Sequence, residues 1–170
     1  MDYGRIKLLV MDVDGTLTDG KIYMGSDGEA MKAFDVKDGY AIAVMLPELG
    51  IKPVVISGRK SAIVERRCRE LGICELHQGV SDKLAILNKV VARFGVSLCD
   101  VAYVGDDLND FESMQAVLDG GGVVACPADA VDAIREICSF LAQSVGGNGA
   151  VREFIEHLGQ KVEAVTVKVL

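Results

Sequence analysis

The sequence has no pair of cysteines at the spacing of a metal or disulfide motif. Its five cysteines are odd in number, widely spaced and without a CxxC pair; they are Cys68, Cys74, Cys99, Cys126 and Cys138. This pattern argues against both a disulfide scaffold and a zinc site. We therefore interpret the cysteines as packed thiols and expect a reducing, cytoplasmic compartment.

Linkers, low-complexity stretches and internal repeats are missing as well. The chain has 3 prolines in 170 residues, and no proline-rich segment divides it. A chain of this length can bury one self-sufficient core. No insertion is large enough for a second domain, so residues 1–170 are expected to form a single domain without a separate cap domain.

The sequence has fewer positive than negative charges, and its apolar runs are short. The sequence has 18 lysines and arginines against 25 aspartates and glutamates, a formal net charge of −7. This balance argues against a nucleic-acid partner bound through a basic surface. The apolar run near the start is too short for a signal peptide or a membrane span. We expect a soluble protein that acts on a small molecule and holds any anionic substrate with local cations.

The sequence does contain a regular alternation of short apolar runs and amphipathic segments. Runs rich in Val, Ile and Leu predict buried strands, and apolar stripes at helical spacing predict helices. Their alternation predicts a doubly wound, Rossmann-like α/β fold, with a parallel sheet and helices on both faces. The predicted strands are 6–13, 52–57, 100–105 and 121–126, with a weaker one at 74–77, and the predicted helices are 38–49, 61–71, 82–94, 109–118 and 150–158. Asp82 can cap the start of the helix at 82–94 and Gly95 its end, and Asn109 is a plausible cap of the next helix.

Two stretches depart from this alternation. Residues 20–36 contain two short segments around a Ser-Asp-Gly turn, which predicts a β-hairpin inserted directly after the first strand. The tail, about residues 144–170, begins with a glycine-rich segment whose glycines permit close approach of the backbone to a site. Its last part, residues 162–170, alternates like a strand.

Aspartates crowd the end of the first predicted strand. Asp12, Asp14 and Asp19 lie within eight positions. Like charges held close together repel, and they lose hydration if buried, so this crowding needs either full solvation or a bound cation. In an open parallel sheet, ligands bind beyond the carboxyl ends of the strands. Further polar residues stand at that edge, namely Ser57, Gly58 and Arg59, Lys83 at a helix start, and Asp106, Asp107 and Asp110.

These residue types carry the chemistry of a phosphate site. Asp12, Asp14 and Asp106 offer the hard oxygen ligands that Mg²⁺ prefers. Lys83 and Ser57, the latter with the backbone N–H groups of its glycine turn, can hold phosphate oxygens. Each motif alone is common in turns and on solvated helices. Their joint occurrence at one edge of the sheet predicts a magnesium-dependent phosphate site.

The DxD spacing suits a two-step reaction. Residues i and i+2 of an extended strand point to the same side, about 6.5–7 Å apart. Asp12 is placed for in-line attack on phosphorus, which gives an aspartyl-phosphate. Asp14 can protonate the leaving oxygen and then activate a water molecule. The motif therefore predicts Asp12 as nucleophile and Asp14 as general acid/base.

Together the motifs resemble those of the haloacid dehalogenase-like phosphohydrolases. That family has DxDGT, then Ser or Thr, then Lys, then GDDxxD. The counterparts here are "DVDGT" (12–16), Ser57, Lys83 and "GDDLND" (105–110). The resemblance implies that Ser57 and Lys83 bind phosphate.

The same resemblance implies a metal site and its supporting residues. Mg²⁺ would sit on Asp12, Asp106 and the backbone carbonyl of Asp14. Asp110 would orient Lys83 or a metal-bound water, and Asp107 would support the site.

A narrower resemblance covers about residues 5–158. Segments such as "KAFDVKDGYAI", "HQGVSDKLAIL" and "GGNGAVREFIE" are similar to a capless subgroup of phosphatases. The segments look most like the members that hydrolyse 3-deoxy-D-manno-octulosonate 8-phosphate, a precursor of the sugar acid of lipopolysaccharide. They usually form homotetramers in which inserted hairpins build a small barrel and a neighbouring subunit closes each site. The resemblance implies that activity and that assembly here.

Three alternatives stay open. The subgroup also includes phosphatases of nine-carbon ulosonate 9-phosphates, although Arg59 directly after the Ser-Gly turn favours the eight-carbon substrate by resemblance. A non-catalytic tetramerisation domain, as in some sialate cytidylyltransferases, would not need the full set of nucleophile, acid/base, lysine and metal carboxylates. A phosphate-accepting receiver module would carry its accepting aspartate on a middle strand.

A sugar acid phosphate also carries a carboxylate, which needs a second cation. Arg59 and Arg67 are candidates, because eight positions on a helix are about two turns. The segment "DVKDG" adds candidates that could line the site, namely Asp35, Lys37, Asp38 and Gly39. Two positions depart from the family pattern: Lys37 stands where arginine is common, and Asn148 stands where the tail motif commonly has a basic residue.

Overall fold

The computed structural model describes residues 2–168, with side chains described through residue 162. Within that part of the chain, six strands form a parallel sheet and two more form an antiparallel hairpin. In chain order they are β1 (Leu8–Met11), β2 (Tyr23–Gly25), β3 (Gly28–Met31), β4 (Lys52–Ser57), β5 (Glu75–Gln78), β6 (Val101–Val104), β7 (Val123–Cys126) and β8 (Phe140–Leu141). The main sheet has the order β5-β4-β1-β6-β7-β8, which places β1 and β6 at its centre.

The helices connect the parallel strands. They are α1 (Val36–Tyr40), α2 (Leu46–Glu48), α3 (Ala62–Glu70), α4 (Lys83–Phe94), α5 (Leu108–Asp119), α6 (Asp132–Ile137) and α7 (Ala150–Lys168). A π-helical segment, Ala41–Met45, joins α1 to α2. The predicted cap of α4 is confirmed, because the Asp82 carboxylate accepts a hydrogen bond of 2.8 Å from the Ala85 N–H. Gly95 ends that helix at a φ of +63°, as predicted.

Both faces of the sheet are covered, because alternate side chains of each strand point to opposite faces. Leu9 and Met11 of β1 pack in one core with residues of α3 and α7. Leu8 and Val10 pack in a second core with residues of α4, α5 and α6. The doubly wound parallel sheet predicted from the sequence is therefore confirmed.

The hairpin also forms where it is predicted, with β2 paired to β3. Asp19 stands at its entry, where its carboxylate accepts hydrogen bonds from the Lys21 N–H (3.1 Å) and the Tyr23 hydroxyl (2.6 Å). Asp19 is thus a turn residue and does not join Asp12.

The first strand is shorter than predicted. It ends at Met11, because the Val13 carbonyl accepts hydrogen bonds from the N–H groups of Thr16 (3.2 Å) and Leu17 (2.9 Å), which closes a turn. Asp12 still donates its N–H to the Val104 carbonyl (3.1 Å), whereas Asp14 lies in the turn. The geometry of an extended strand therefore does not relate the two DxD side chains.

Two further local predictions are wrong. The cap of α5 is Asp107, whose carboxylate accepts from the Leu108 N–H at 2.7 Å, and not Asn109. Residues 162–168 continue α7 and form no strand, because that helix is anchored by core side chains in its first half, such as Phe154 and Leu158. Residues 169–170 lie outside the described residues.

Two short elements are not predicted from the sequence. Helix α6 and strand β8 are six and two residues long, too short for a clear periodic pattern. Among the described residues, no helix is both long and apolar enough to cross a membrane.

Candidate active site

Functional side chains meet at the carboxyl edge of the sheet, where parallel topology brings strand ends together. Asp12 follows β1, Ser57 ends β4 and Asp106 lies just after β6. Lys83 is the first residue of α4, and Asp110 lies in the first turn of α5. Residues far apart in sequence thus share one site, as the motifs at the strand ends predict.

Lys83 is the centre of the site. Its ammonium group lies 2.9 Å from Asp12 Oδ1 and 2.8 Å from Asp110 Oδ1, and all three side chains are buried. The Tyr103 hydroxyl donates a further hydrogen bond of 2.8 Å to the same Asp110 oxygen. Asp110 therefore contacts Lys83 beside Asp12, and its role in orienting that lysine stays a prediction.

Three carboxylates form a candidate metal site. Oxygen atoms of Asp12, Asp106 and Asp110 all lie within 4.8 Å of one another. Lys83 contacts two of them, Asp12 and Asp110, so the four groups together carry a formal surplus of two negative charges. Asp110 Oδ2 is buried and has no hydrogen-bond partner. A hard, oxygen-ligated divalent cation such as Mg²⁺ fits both the donor set and the charge.

Burial perturbs the ionisation of these groups. Desolvation raises the pKa of Asp12 to about 7, and the Asp110 carboxylate adds to the rise against the attraction of Lys83. Desolvation also raises the pKa of Asp106 to about 7. Burial alone would lower the pKa of Lys83, but attraction to Asp110 and Asp12 outweighs it and leaves that pKa raised. The lysine is therefore charged, and its single positive charge offsets only one of the three formal carboxylate charges.

The metal-free protein is expected to lose stability as the pH rises from about 4 to about 7. Asp12 and Asp106 have folded-state pKa values above their unfolded values, so the folded state binds protons that the unfolded chain has released. Mg²⁺ competes with those protons, so its stabilising effect grows over the same interval. Thermal unfolding at pH 6 and pH 8, with and without Mg²⁺, checks this. An equal Mg²⁺ effect at both values would contradict it.

The turn after Asp12 packs closely against the Asp106 carboxylate. The Thr16 hydroxyl donates a hydrogen bond of 2.8 Å to Asp106 Oδ1. Gly15 has a φ of +97°, and a Cβ at this position would collide with the Asp106 carboxylate. The glycine of the DxDGT motif is therefore required both by the turn and by the metal-site carboxylate behind it.

The glycine-rich tail packs against the same turn within one chain. The Gly147 N–H donates to the Thr16 carbonyl at 3.0 Å. A Cβ at Gly146 would collide with the Gly15 backbone. The tail thus packs against the turn that carries Asp14, and its glycines allow the backbones to touch.

Asp14 lies outside the carboxylate cluster. Its carboxylate is paired with Lys32, from the segment after β3, and lies 3.8 Å from the guanidinium of Arg59. Lys32 and its neighbour Glu29 are absent from the sequence prediction. Their placement depends on the hairpin folding back over the DxD turn, and no motif in the sequence signals that contact.

The predicted phosphate turn is formed at the end of β4. Ser57 is buried, Gly58 is exposed, and the Ser57 carbonyl accepts a hydrogen bond of 3.1 Å from the Val80 N–H. Arg59 is about half exposed beside Asp14. Its guanidinium also lies 3.6 Å from Glu29 Oε1, so a half-exposed, paired cation stands next to the predicted general acid/base.

The remaining candidates form a neighbouring group. Arg67 lies over the Phe34 ring and pairs with Glu70, and its guanidinium packs against Gly39. Asp38 accepts hydrogen bonds from the N–H groups of Gly149 (3.2 Å) and Arg152 (2.7 Å), so it caps the start of α7. Asp35 caps α1, and the exposed Lys37 lies 3.7 Å from it. These contacts give Asp38 a structural role, and binding roles for Arg67, Asp35, Lys37 and Gly39 stay predictions.

Comparisons with known proteins agree with this geometry. A family model, haloacid dehalogenase-like hydrolase, matches residues 33–117. The 3-deoxy-D-manno-octulosonate 8-phosphate phosphatase KdsC of Escherichia coli K12 is 43% identical over 154 residues, 91% of this chain and 79% of that protein. The chain belongs to the haloacid dehalogenase-like hydrolases. KdsC of Yersinia pestis is 41% identical to this hydrolase over 149 residues, 88% of this chain and 77% of that protein.

Solved structures place the hydrolase in the same group. The cobalt-bound deoxy-D-mannose-octulosonate 8-phosphate phosphatase of Haemophilus influenzae has a TM-score of 0.89 and 34% identity, covering 96% of this chain and 92% of that one. The phosphatase of Moraxella catarrhalis, solved with magnesium, phosphate and KDO, has a TM-score of 0.88 and 36% identity, covering 99% and 96%. Both cover almost the whole hydrolase.

Proposed function

We propose that this hydrolase is a Mg²⁺-dependent phosphatase that releases phosphate from 3-deoxy-D-manno-octulosonate 8-phosphate, a step of lipopolysaccharide sugar biosynthesis. The observation that carries the proposal is the buried Lys83–Asp12–Asp110 group with its surplus negative charge. KdsC relatives at 43% identity and the Moraxella complex with magnesium, phosphate and KDO support the substrate and the metal. The chain would act as one domain over residues 1–170 without a cap domain.

The reaction runs in two steps on the chain's own carboxylates. An Asp12 oxygen attacks phosphorus, the bond from phosphorus to the sugar oxygen breaks, and Asp14 gives its proton to that leaving oxygen. A water molecule then gives a proton to Asp14 and attacks phosphorus, which breaks the bond to Asp12 and frees inorganic phosphate. Lys83 lies against Asp12, where its ammonium can bind a phosphate oxygen.

Other residues position the phosphate and the metal. Ser57 and the backbone of Gly58 would bind phosphate oxygens at the β4 turn. Asp12, Asp106 and the backbone carbonyl of Asp14 would hold Mg²⁺, with Asp107 and Asp110 in support. When bound, the ion neutralises charge on the transferring phosphoryl group and favours attack by an anionic nucleophile.

Recognition of the sugar acid calls for a cation apart from Lys83. Arg59 is our candidate for the substrate carboxylate, since its guanidinium is about half exposed next to Asp14. Arg67 and the segment Asp35–Gly39 would line the more distant part of the site. This assignment favours the eight-carbon acid over a nine-carbon one by resemblance to the subgroup.

A phosphate-release assay tests the function. The purified chain is given eight-carbon ulosonate 8-phosphate and nine-carbon ulosonate 9-phosphate, each with Mg²⁺ and with a chelator. We expect Mg²⁺-dependent release with a higher kcat/KM for the eight-carbon substrate. Preference for the nine-carbon compound would overturn the substrate assignment, and no release from either would favour a non-catalytic assembly domain.

We also propose that the protein is a cytoplasmic homotetramer built through the hairpin. Ile22, Met24 and Met31 of the hairpin region are about half exposed or more, as are Val36 and Tyr40 beside it. Exposed apolar side chains clustered in one segment of a chain are typical of a protein interface. Light scattering at micromolar concentration should give the mass of four chains, and a monomer mass would contradict the assembly. The five free cysteines support a reducing, cytoplasmic location.

A further inference from the structure

A buried lysine from the hairpin contacts the general acid/base. Lys32 follows β3, and only 1% of its side chain is exposed. Its ammonium donates a hydrogen bond to Asp14 Oδ1 and lies 3.0 Å from Glu29 Oε1. A lysine is almost never this deeply buried unless it is paired. The pairing with two carboxylates accounts for its burial.

Glu29 is itself anchored to the rigid part of the fold. The Ser61 hydroxyl donates a hydrogen bond to Glu29 Oε2, and Ser61 is the cap residue of α3. Arg59 lies 3.6 Å from Glu29 Oε1. The chain of contacts therefore runs from the start of α3 through Glu29 and Lys32 to the Asp14 carboxylate.

Asp14 has little else to fix its side chain. It lies in a turn beyond the end of β1. Arg59 approaches its other oxygen only at 3.8 Å and is about half exposed. A general acid must lie within hydrogen-bond reach of the oxygen that it protonates, and small displacements from that position are costly. Lys32 is the buried partner that can set the direction of this carboxylate.

We propose that Lys32, held by Glu29, is a positioning residue that aims the Asp14 carboxylate at the leaving oxygen of the substrate. This inference rests on the proposed function, since it assigns a partner to the general acid/base of that reaction. It also gives the inserted hairpin a part in catalysis within its own chain.

The test compares two leaving groups. A sugar alkoxide needs a proton as it leaves, whereas nitrophenolate leaves readily without one. The ratio kcat/KM reports the steps up to the first irreversible one, which is cleavage of the bond to the leaving group. For Lys32→Met we expect kcat/KM to fall about 100-fold on the sugar phosphate and less than about threefold on p-nitrophenyl phosphate.

A second signature comes from the other half of the reaction. Asp14 also activates the water that hydrolyses the aspartyl-phosphate. With p-nitrophenyl phosphate, the Lys32→Met protein should therefore show a burst of about one nitrophenolate per site followed by slow turnover. Glu29→Gln should show the same pattern more weakly, and Lys32→Arg should restore part of the activity on the sugar phosphate.

Lys21→Met is the matched control, since Lys21 is a lysine of the hairpin region that is 72% exposed. It should match the parent chain on both substrates. A Lys32→Met variant with equal losses on both substrates, or with none, would overturn the positioning role. If thermal unfolding shows that the Lys32→Met protein is not folded, the two substrates are compared in the Lys32→Arg and Glu29→Gln proteins instead. Absence of any release by the parent chain would overturn the proposed function and this inference with it.

Discussion

We expect the Asp12→Asn variant to release phosphate from its sugar phosphate about 10⁴-fold more slowly than the parent chain, or to show no release. An amide oxygen is a poor nucleophile and cannot form a stable acyl-phosphate, so the covalent route is lost. Asp12 is buried in contact with Lys83, and the variant keeps the shape of that side chain. The measurement is Mg²⁺-dependent phosphate release, with the intact mass confirming the asparagine.

Asp19→Asn is the matched control for this variant. It makes the same change seven positions further along, at a carboxylate that belongs to the hairpin entry. It should retain the activity of the parent chain. Persistent release by a mass-verified Asp12→Asn protein would remove Asp12 as the nucleophile.

The second large effect is on stability. We expect Lys83→Met to lower the free energy of unfolding of the metal-free protein by about 3–5 kcal/mol, the range for breaking a buried ion pair on one side. Lys83 is the buried cation between Asp12 and Asp110, and methionine would leave those carboxylates without it. Denaturant unfolding of the metal-free variant checks this value.

Adding Mg²⁺ to the Lys83→Met protein separates its loss of stability from its loss of activity. The ion should restore much of the lost stability, because the remaining carboxylates bind a cation more tightly. Activity should stay low, since no ammonium is left to bind the phosphate. Lys89→Met, an exposed lysine of the same helix, is the control and should leave both properties unchanged. A Lys83→Met protein as stable as that control would contradict the charge balance described here.

Much of the fold and of the central site could be predicted from sequence. Strand β4 has the predicted bounds, and the alternation of strands and helices determined the sheet. The sequence predicts that four side chains meet at one edge, because polar residues that follow apolar runs lie where parallel strands end. These residues are Asp12, Lys83, Asp106 and Asp110. The fold and the meeting of these side chains are predictable because they depend on local patterns and on one topological rule, whereas the roles of the side chains stay predictions.

The features that the sequence does not predict depend on contacts between segments that are distant along the chain. Lys32 and Glu29 carry no motif, and only the folded hairpin brings them to Asp14. Tyr103 reads as a core side chain of β6, yet its hydroxyl bonds to Asp110. The DxD spacing predicts an extended strand, whereas hydrogen bonds to the Val13 carbonyl turn the chain before Asp14. Pairwise packing of this kind leaves no periodic signal in a single sequence.

The central claim is that Asp12 takes the phosphoryl group of an eight-carbon sugar acid phosphate. Rapid acid quenching after mixing with 3-deoxy-D-manno-octulosonate 8-phosphate and Mg²⁺, followed by peptide mass spectrometry, tests it most directly. We predict a phosphoryl group on Asp12 that hydroxylamine removes, as expected for an acyl-phosphate, and none in the presence of a chelator. Phosphate release with the phosphoryl group on another residue, or with no phosphorylated protein on the turnover time scale, would contradict the account.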